Sequence, residues 1–470
     1  MATHSNVYPG GPPETEFRRL TLSGFRQFGV IDLDLSKRLT ILTGANGAGK
    51  TTLLGILGSH FNWHASLLAN PRRKAHGSSA YTLDVGRPDE LDLVGLLVGL
   101  EPDKIQTIKE ILEKPISAPD SNGYPPGHPG GYSPADDSTK IGQLQYMAGP
   151  DGDLLVPKNL YSLQYNINVS PQGNVPGVYL SSHRTLNYYQ PVTSIPAEFA
   201  RAEQIFSEYT NELRSAVFGG RSEKSSMMRM KESLLAAAIY GEGNSSVRAS
   251  SDAQTVWRGF QEVLSKLFPP EIGFQRLVAD PPEILIETTA GEFSIDSLSG
   301  GLSAIFELAW QIHLRAASDT RSHFTVCFDE PENHLHPSLQ RTLMPALLRA
   351  FPNVSFIVAT HSPFITGSAK DAAVYALQFN GEGKVVSLEL DFENKAKSAE
   401  KVLTDVLGVT STSPIWAEEK FNSIIEKYLE FDMTRSNLLS LRSELEDNGL
   451  GEELPMAVEA LLGSTQNPGV

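Results

Sequence analysis

Gly44-Ala45-Asn46-Gly47-Ala48-Gly49-Lys50-Thr51-Thr52 has the residue types of a loop that holds an anion. Its glycines let backbone N–H groups close on a phosphate that a Cβ would keep away. Lys50 would reach the β- and γ-phosphates of a nucleotide, and the Thr51 hydroxyl would meet Mg²⁺. A glycine-rich turn merely joining a strand to a helix is the plainer alternative. The spacing G-x-x-x-x-G-K-T argues against it, with a strand-like run before (Leu39–Thr43) and a helix-like run after (Leu53–Leu57).

Three further stretches carry matching chemistry. Phe324-Thr325-Val326-Cys327-Phe328 reads as a buried strand delivering Asp329 and Glu330 at its C-terminal end, where α/β sheets place ligands. Asp329 would hold Mg²⁺, directly or through water, and Glu330 would act as general base or water-positioner for attack on the γ-phosphate. Val354–Thr360 reads as another buried strand and ends in His361-Ser362-Pro363, so His361 would contact the γ-phosphate. Ser299, Gly300 and Gly301 stand before a helix pattern at Leu302–Trp310, which makes a hydroxyl, free N–H groups and a helix N-terminus available to an anion. Ser-Gly-Gly is also a common turn, and only its place ahead of the carboxylates raises its interest. Glu332, His334 and His336 invite a metal site, but no further ligands have suitable spacing, and the histidines are expected to shape the loop.

The elements that must position these groups alternate strand and helix. Residues 1–15 read as a flexible arm, and 16–193 as a lobe containing the phosphate loop, a β-rich arm and a disordered insertion over 115–138. Within that arm Gln143–Val156 reads as a hairpin turning at Gly149-Pro150-Asp151-Gly152. Residues 194–270 hold three amphipathic helix patterns, Glu198–Val217, Glu223–Tyr240 and Ala253–Phe268. A second lobe over 271–390 carries the later motifs, and 391–470 reads as helical, fraying from Gly463.

Composition narrows the setting. Lys and Arg number 39 against 55 Asp and Glu, a net charge of −16, so the overall field does not favour coating nucleic acid. No apolar run is long enough to span a bilayer, no secretory signal is visible, and a single cysteine, Cys327, leaves no internal disulfide. A reducing cytoplasm is the expectation.

Together, Gly44–Thr52, Leu298–Gly301, Phe328–Pro331 and Thr360–Ser362 resemble the ABC-type ATPase heads of SMC, Rad50 and RecF proteins. The longer forms Asp329-Glu330-Pro331-Glu332-Asn333-His334-Leu335-His336-Pro337 and Ala359-Thr360-His361-Ser362-Pro363 look closer still to OLD-like ATPases, including those of the Septu and PARIS anti-phage systems. The resemblance implies an α/β P-loop NTPase fold of ABC-head type with a β-rich arm and an inserted helical subdomain. It implies ATP and Mg²⁺ as cofactors, with Gly44–Thr52 as Walker A, Ser299–Gly301 as the signature, Asp329 and Glu330 as Walker B, and His361 as the switch histidine. In such heads the signature serves the ATP of the opposite subunit, which implies a homodimer or higher even oligomer.

Two departures stand out. The family's Q-loop glutamine has three candidates here, Gln143, Gln145 and Gln164. The acidic Toprim constellation that follows the ATPase in OLD nucleases is not visible after residue 390. Ser182-His183-Arg184 resembles the Ser-x-Arg element of OLD-like ATPases, which would bring Arg184 to phosphate. The expected function is an ATP-driven switch controlling a separate effector protein such as a nuclease, in anti-phage defence. The alternative is a DNA-binding ATPase of genome maintenance, for which Arg72, Arg73, Lys74, Arg221, Lys224, Arg229 and Lys231 would supply phosphate contacts.

Overall fold

Every residue of β3, Leu39–Gly44, is buried, and Thr40 and Thr43 lie in the core beside the aliphatic side chains. Such a strand is covered on both faces, as the middle of a parallel sheet requires. The computed structural model describes residues 16–64, 66–73, 79–82, 138–158, 164–183, 189–217, 225–243, 245–318, 323–391, 399–405, 414–429, 431 and 434–465. The expected insertion over 115–138 therefore lies outside the described residues except for Ser138.

β3 is flanked by two parallel partners, β16 (Val354–Thr360) and β17 (Ala373–Phe379). β15 (Phe324–Asp329) and β11 (Gly177–Leu180) continue the parallel half beyond β16. On the other side β18 (Val385–Glu389) turns back along β17 and touches β2 (Phe28–Asp34) at Val385 and Phe28. β2 begins an antiparallel half through β1 (Phe17–Phe25), β7 (Ser138–Tyr146), β8 (Gly152–Pro157) and β10 (Asn168–Ser170). Among the described residues the sheet runs β10-β8-β7-β1-β2-β18-β17-β3-β16-β15-β11. The β7–β8 hairpin encloses the Gly149–Gly152 turn. Two short pairs lie apart from the large sheet: β4 (Leu67–Leu68) with β9 (Gln164–Tyr165), and β5 (Asn70–Arg73) with β6 (Ser79–Thr82). A three-stranded sheet, β12 (Phe274–Asp280), β13 (Glu283–Thr288) and β14 (Gly291–Ser294), precedes the signature segment.

The register of the parallel half determines where the chemistry falls. Asp329 pairs with Ala359, and Thr360 with Thr43, so β15, β16 and β3 end side by side. The residues just past those ends are Glu330, His361 and the loop that opens at Gly44.

α1 (Lys50–Gly58) follows the loop and buries Leu53, Leu54, Ile56 and Leu57 against the sheet core. The middle helices are α2 (Ala202–Val217), α3 (Ser226–Glu242) and α4 (Ser251–Leu267), each offset by a few residues from its sequence pattern. Ser225 and Ser250 account for two of the offsets: each caps its helix through its hydroxyl, on Met228 N and Ala253 N respectively. α5 (Gly300–Ser318) packs Phe306 and Trp310 edge-on against Phe260 of α4, with ring centroids 5.0 and 5.1 Å apart. The helical stretch thus shares one core with the later lobe. α6 (Pro337–Ala350) and the single turn α7 (Pro363–Thr366) complete the helices around the parallel half.

The chain divides into two compact units, residues 1–402 and 403–470, with the division inside α8 (Ala399–Asp405). The second unit is a helical hairpin and a closing helix, α9 (Ile415–Leu429), α10 (Arg435–Asp447) and α11 (Leu454–Thr465), around Ile424, Leu441, Leu445 and Ala457. Helix continues to Thr465, two residues beyond the Gly463 at which fraying was expected, and 466–470 lie outside the described residues.

Candidate active site

Three glycines in the left-handed region, Gly44, Gly47 and Gly49, shape the loop after β3, and Gly49 sits against Phe28. At φ +88°, it caps α1, and a Cβ there would lie 2.3 Å from Cζ of Phe28. No other residue fits this close approach without moving the β2 ring. Gln27, just before β2, donates from Nε2 to Gly47 O at 3.3 Å and ties the antiparallel half to the loop.

Lys50 turns back into this loop. Lys50 is 5% exposed, and its ammonium donates to Gly44 O at 2.9 Å and Ala45 O at 3.1 Å and lies 3.3 Å from Nδ1 of His361. Burial lowers its pKa to about 8, partly opposed by Glu330, Asp329 and Glu332. Thr51 donates its hydroxyl to Asp329 Oδ1 at 3.1 Å. Asp329 is 4% exposed, and burial raises its carboxyl to about 6 against the Thr51 hydrogen bond and the Lys50 charge. The buried Tyr179 of β11 lies near Asp329, and its phenol is held far above its ordinary range, by burial first and then by the Asp329 charge.

Glu330 sits at φ +48°, a left-handed conformation uncommon for a glutamate. Its N–H donates to Ala359 O at 2.8 Å, and its Oε2 accepts from Asn333 Nδ2 at 3.0 Å. The other oxygen is 3.8 Å from His361 Nε2. Burial first, then the Lys50 charge, lowers the His361 pKa below 6.5, so a neutral ring faces the carboxylate at pH 7. Glu332 Oε1 accepts from the backbone N–H of His361 at 2.7 Å and of Ser362 at 3.2 Å, fixing the turn that presents the histidine.

The buried Asp329 carboxyl, the half-buried Glu330 and Glu332 and the buried Lys50 surround the glycine loop. Those groups suit a polyphosphate with a hard divalent cation: Thr51 Oγ1 and Asp329 offer oxygen donors, and Lys50 and the loop N–H groups face the anion.

The structure brings together Gly44–Thr52, Asp329, Glu330 and His361. Ser299 and Gly300 stand exposed at the start of α5, and a Cβ on Gly300 would meet open space. Gly301 backs onto the loop after Glu330, where a Cβ would come within 3.0 Å of His334 O.

Other sequence expectations are corrected. Lys231 is fully buried and offers no DNA phosphate contact, and Arg229 is engaged by Glu212 and by Glu208, the latter at 2.9 Å. Arg184, Lys74, Arg221 and Lys224 lie outside the described residues, and Arg72 and Arg73 are described only as backbone of β5. Gln143 and Gln145 bond to Asp153 and Asp151 in the β7–β8 hairpin. Among the described residues no group of three metal-ligating side chains gathers at His334 or His336, and His336 caps α6 by accepting from Ser338 N.

Sequence reasoning missed Gln27, Tyr179, Asn333 and the role of Glu332. The local sign was Glu332-Asn333 after the carboxylate pair, with Asn333 three residues from Glu330; the bonds of Gln27 and Glu332 join residues 20 to 30 positions apart.

Two family models match the chain, "AAA domain, putative AbiEii toxin, Type IV TA system" over residues 268–367 and "AAA domain" over 19–70. A probable ATPase of retron Vc95 from Vibrio cholerae is 28% identical over 31% of this chain and 29% of its own length. The Septu protein PtuA of Bacillus thuringiensis is 26% identical over 34% of this chain and 47% of its own. The chain is similar to ABC-type ATPase heads. It matches less than half the length of these curated relatives. The RecF replication and repair protein of Rhizobium meliloti is 35% identical over 91 residues, 19% of this chain and 22% of its own length. A solved SMC head domain from Thermotoga maritima aligns over 80% of this chain and 99% of its own, at 13% identity and a TM-score of 0.37. No described helix is long and apolar enough to cross a membrane.

Proposed function

We propose that this head binds and hydrolyses ATP, and that two copies close face to face with one ATP at each shared site. The observation that carries the reading is the asymmetry of the site. Lys50, Thr51, Asp329, Glu330 and His361 gather at adjacent strand ends, while Ser299 and Gly300 present an exposed helix start, with open space where a Cβ on Gly300 would stand.

In this reading the backbone amides of Gly44–Thr52 bind the phosphates, and Lys50 exchanges the Gly44 and Ala45 carbonyls for phosphate oxygen. Thr51 and Asp329 would hold Mg²⁺, which neutralises charge on the phosphates. Glu330, aimed by Asn333 and its backbone bond to Ala359, accepts the proton of the attacking water. His361, neutral and fixed through Glu332, steadies that water and the γ-phosphate. Ser299, Gly300 and the N-terminus of α5 close on the partner's ATP, so closure follows binding and opening follows hydrolysis.

The likeness to Septu and retron ATPases supports control of a separate effector in anti-phage defence, in a soluble cytoplasmic setting. The RecF likeness supports a second reading, a DNA-linked switch. Its weakness is that Arg229 and Lys231 are already engaged within the fold.

The test is Glu330→Gln, which keeps the shape of the site and removes the base. With Mg·ATP it is expected to form a stable dimer in sedimentation and to retain any effector in a pull-down, whereas Lys50→Ala shows neither ATP binding nor dimer. A Glu330→Gln variant that stays monomeric at saturating ATP refutes the reading. Duplex DNA as the only retained partner favours the repair role.

A further inference from the structure

Lys231 is among the most fully enclosed groups in the described chain, at 0% exposure on the inner face of α3 between Met230, Leu234 and Leu235. A lone ammonium there would be strongly unfavourable, and three acceptors from three other segments meet it. Its Nζ donates to Asp296 Oδ2 at 2.5 Å, to Gln190 O at 2.6 Å and to Glu283 Oε2 at 3.4 Å. The Tyr189 ring lies 5.6 Å away, and its hydroxyl donates to Glu283 Oε1 at 2.8 Å.

Asp296 is the middle residue of the single 3₁₀ turn Ile295–Ser297, three residues before Ser299. Its own N–H is held by Ser294 Oγ at 3.3 Å, and Ile295 is buried beneath the turn. Leu298 N–H donates to Ile295 O at 3.3 Å, and Ser299 O already accepts from Ser303 N in α5. Nothing slack separates the salt bridge from the signature. Asp296 depends on Lys231, because its other carboxylate oxygen is buried without a hydrogen-bond partner.

We infer that Lys231 is a positioning residue for the signature. It pins the turn at Asp296, so that Ser299 and Gly300 are preorganised to receive the ATP of a second copy of this chain. It touches neither ATP nor the water, and acts through Asp296. The inference rests on the proposed role of Ser299–Gly301. A fixed anion site costs less to close than one that must first order.

Two measurements on the full chain separate the pin from the role it serves. In the nucleotide-free protein, amide hydrogen exchange of Lys231→Met should quicken over Asp296–Ser303 and stay unchanged over Lys50–Leu57. Lys231→Arg, which keeps the charge, should restore protection. Because the methionine alone leaves Asp296 charged and buried, the neutral pair Lys231→Met with Asp296→Asn is measured beside it and should also loosen the turn. In a Glu330→Gln background, Lys231→Met should bind ATP within about threefold of its parent and weaken ATP-dependent dimerisation about tenfold or more, with recovery in Lys231→Arg. Unchanged exchange over Asp296–Ser303 in both methionine variants overturns the inference, as does an unchanged dimer constant. Exchange that quickens everywhere, with ATP binding lost, also overturns it, because Lys231 would then serve the fold alone. A parent that never dimerises with ATP overturns the proposed function, and localised loosening in the exchange measurement would still establish the pin.

Discussion

Asp329→Asn should stabilise the nucleotide-free protein while disabling it. Burial moves the Asp329 carboxyl from 3.8 to about 6. The unfolded chain therefore gives up this proton at lower pH than the folded chain, and stability falls as pH rises through that window. At 1.36 kcal/mol per pH unit, the full cost at pH 7.5 is about 3 kcal/mol, and roughly half of it at pH 5. Asparagine is neutral at both values, and its carbonyl oxygen accepts the Thr51 hydroxyl as Asp329 Oδ1 does at 3.1 Å. Urea unfolding of the apo protein should thus show the variant more stable by about 2–3 kcal/mol at pH 7.5, with the gain shrinking by about half at pH 5. Adding Mg·ATP should stabilise the wild type and do little for the variant, because the variant lacks the charge that holds the cation. An asparagine variant no more stable than wild type at pH 7.5, or a gain that grows toward pH 5, would refute the argument that this carboxylate is held desolvated for a cation.

Gly49→Ala should lower ATP affinity by more than about tenfold and destabilise the fold by about 2–4 kcal/mol, because φ +88° and the ring of Phe28 both reject a Cβ; calorimetric titration and urea unfolding measure the two effects. His361→Ala should reduce kcat by about 10²–10³ and leave ATP affinity within about threefold, read from steady-state kinetics beside equilibrium binding. Acid should weaken the fold through His313, fully buried with its Nε2–H on Val256 O at 2.9 Å and its pKa lowered by burial from 6.5 to about 4. The unfolded chain takes up that proton first as pH falls below 6.5, so the wild type should lose about 2 kcal/mol between pH 7 and 5 that His313→Leu does not lose.

The fold class was legible because its markers are local. A glycine loop after a buried strand, carboxylates at the end of another and a histidine at the end of a third need only short windows, and parallel strands bring their ends together. The fate of the charged side chains was not local. Lys231 lies 65 residues from Asp296 and 52 from Glu283, so a basic residue in an amphipathic helix read as a surface contact is in fact a buried pin. Glu332 looked like a metal ligand beside two histidines, yet its carboxylate accepts the amides of His361 and Ser362, residues 29 and 30 positions away. Gln27 gave no sign of reaching Gly47, since nothing in the turn before β2 indicates that it faces the loop.

In the proposed function each ATP site is completed by a second copy of the chain. Gly300→Glu tests it cleanly, since its Cβ enters open space and a glutamate in the first turn of α5 suits the helix dipole, leaving the subunit itself undisturbed. Its carboxylate would repel the partner's phosphates. Lys50→Ala and Gly300→Glu should each be inactive alone. Mixed in equal amounts they should recover ATPase activity, to at most about half of wild type, because each mixed dimer holds one site with both parts intact. Full activity of Gly300→Glu alone, or a mixture no more active than its components, would contradict the account.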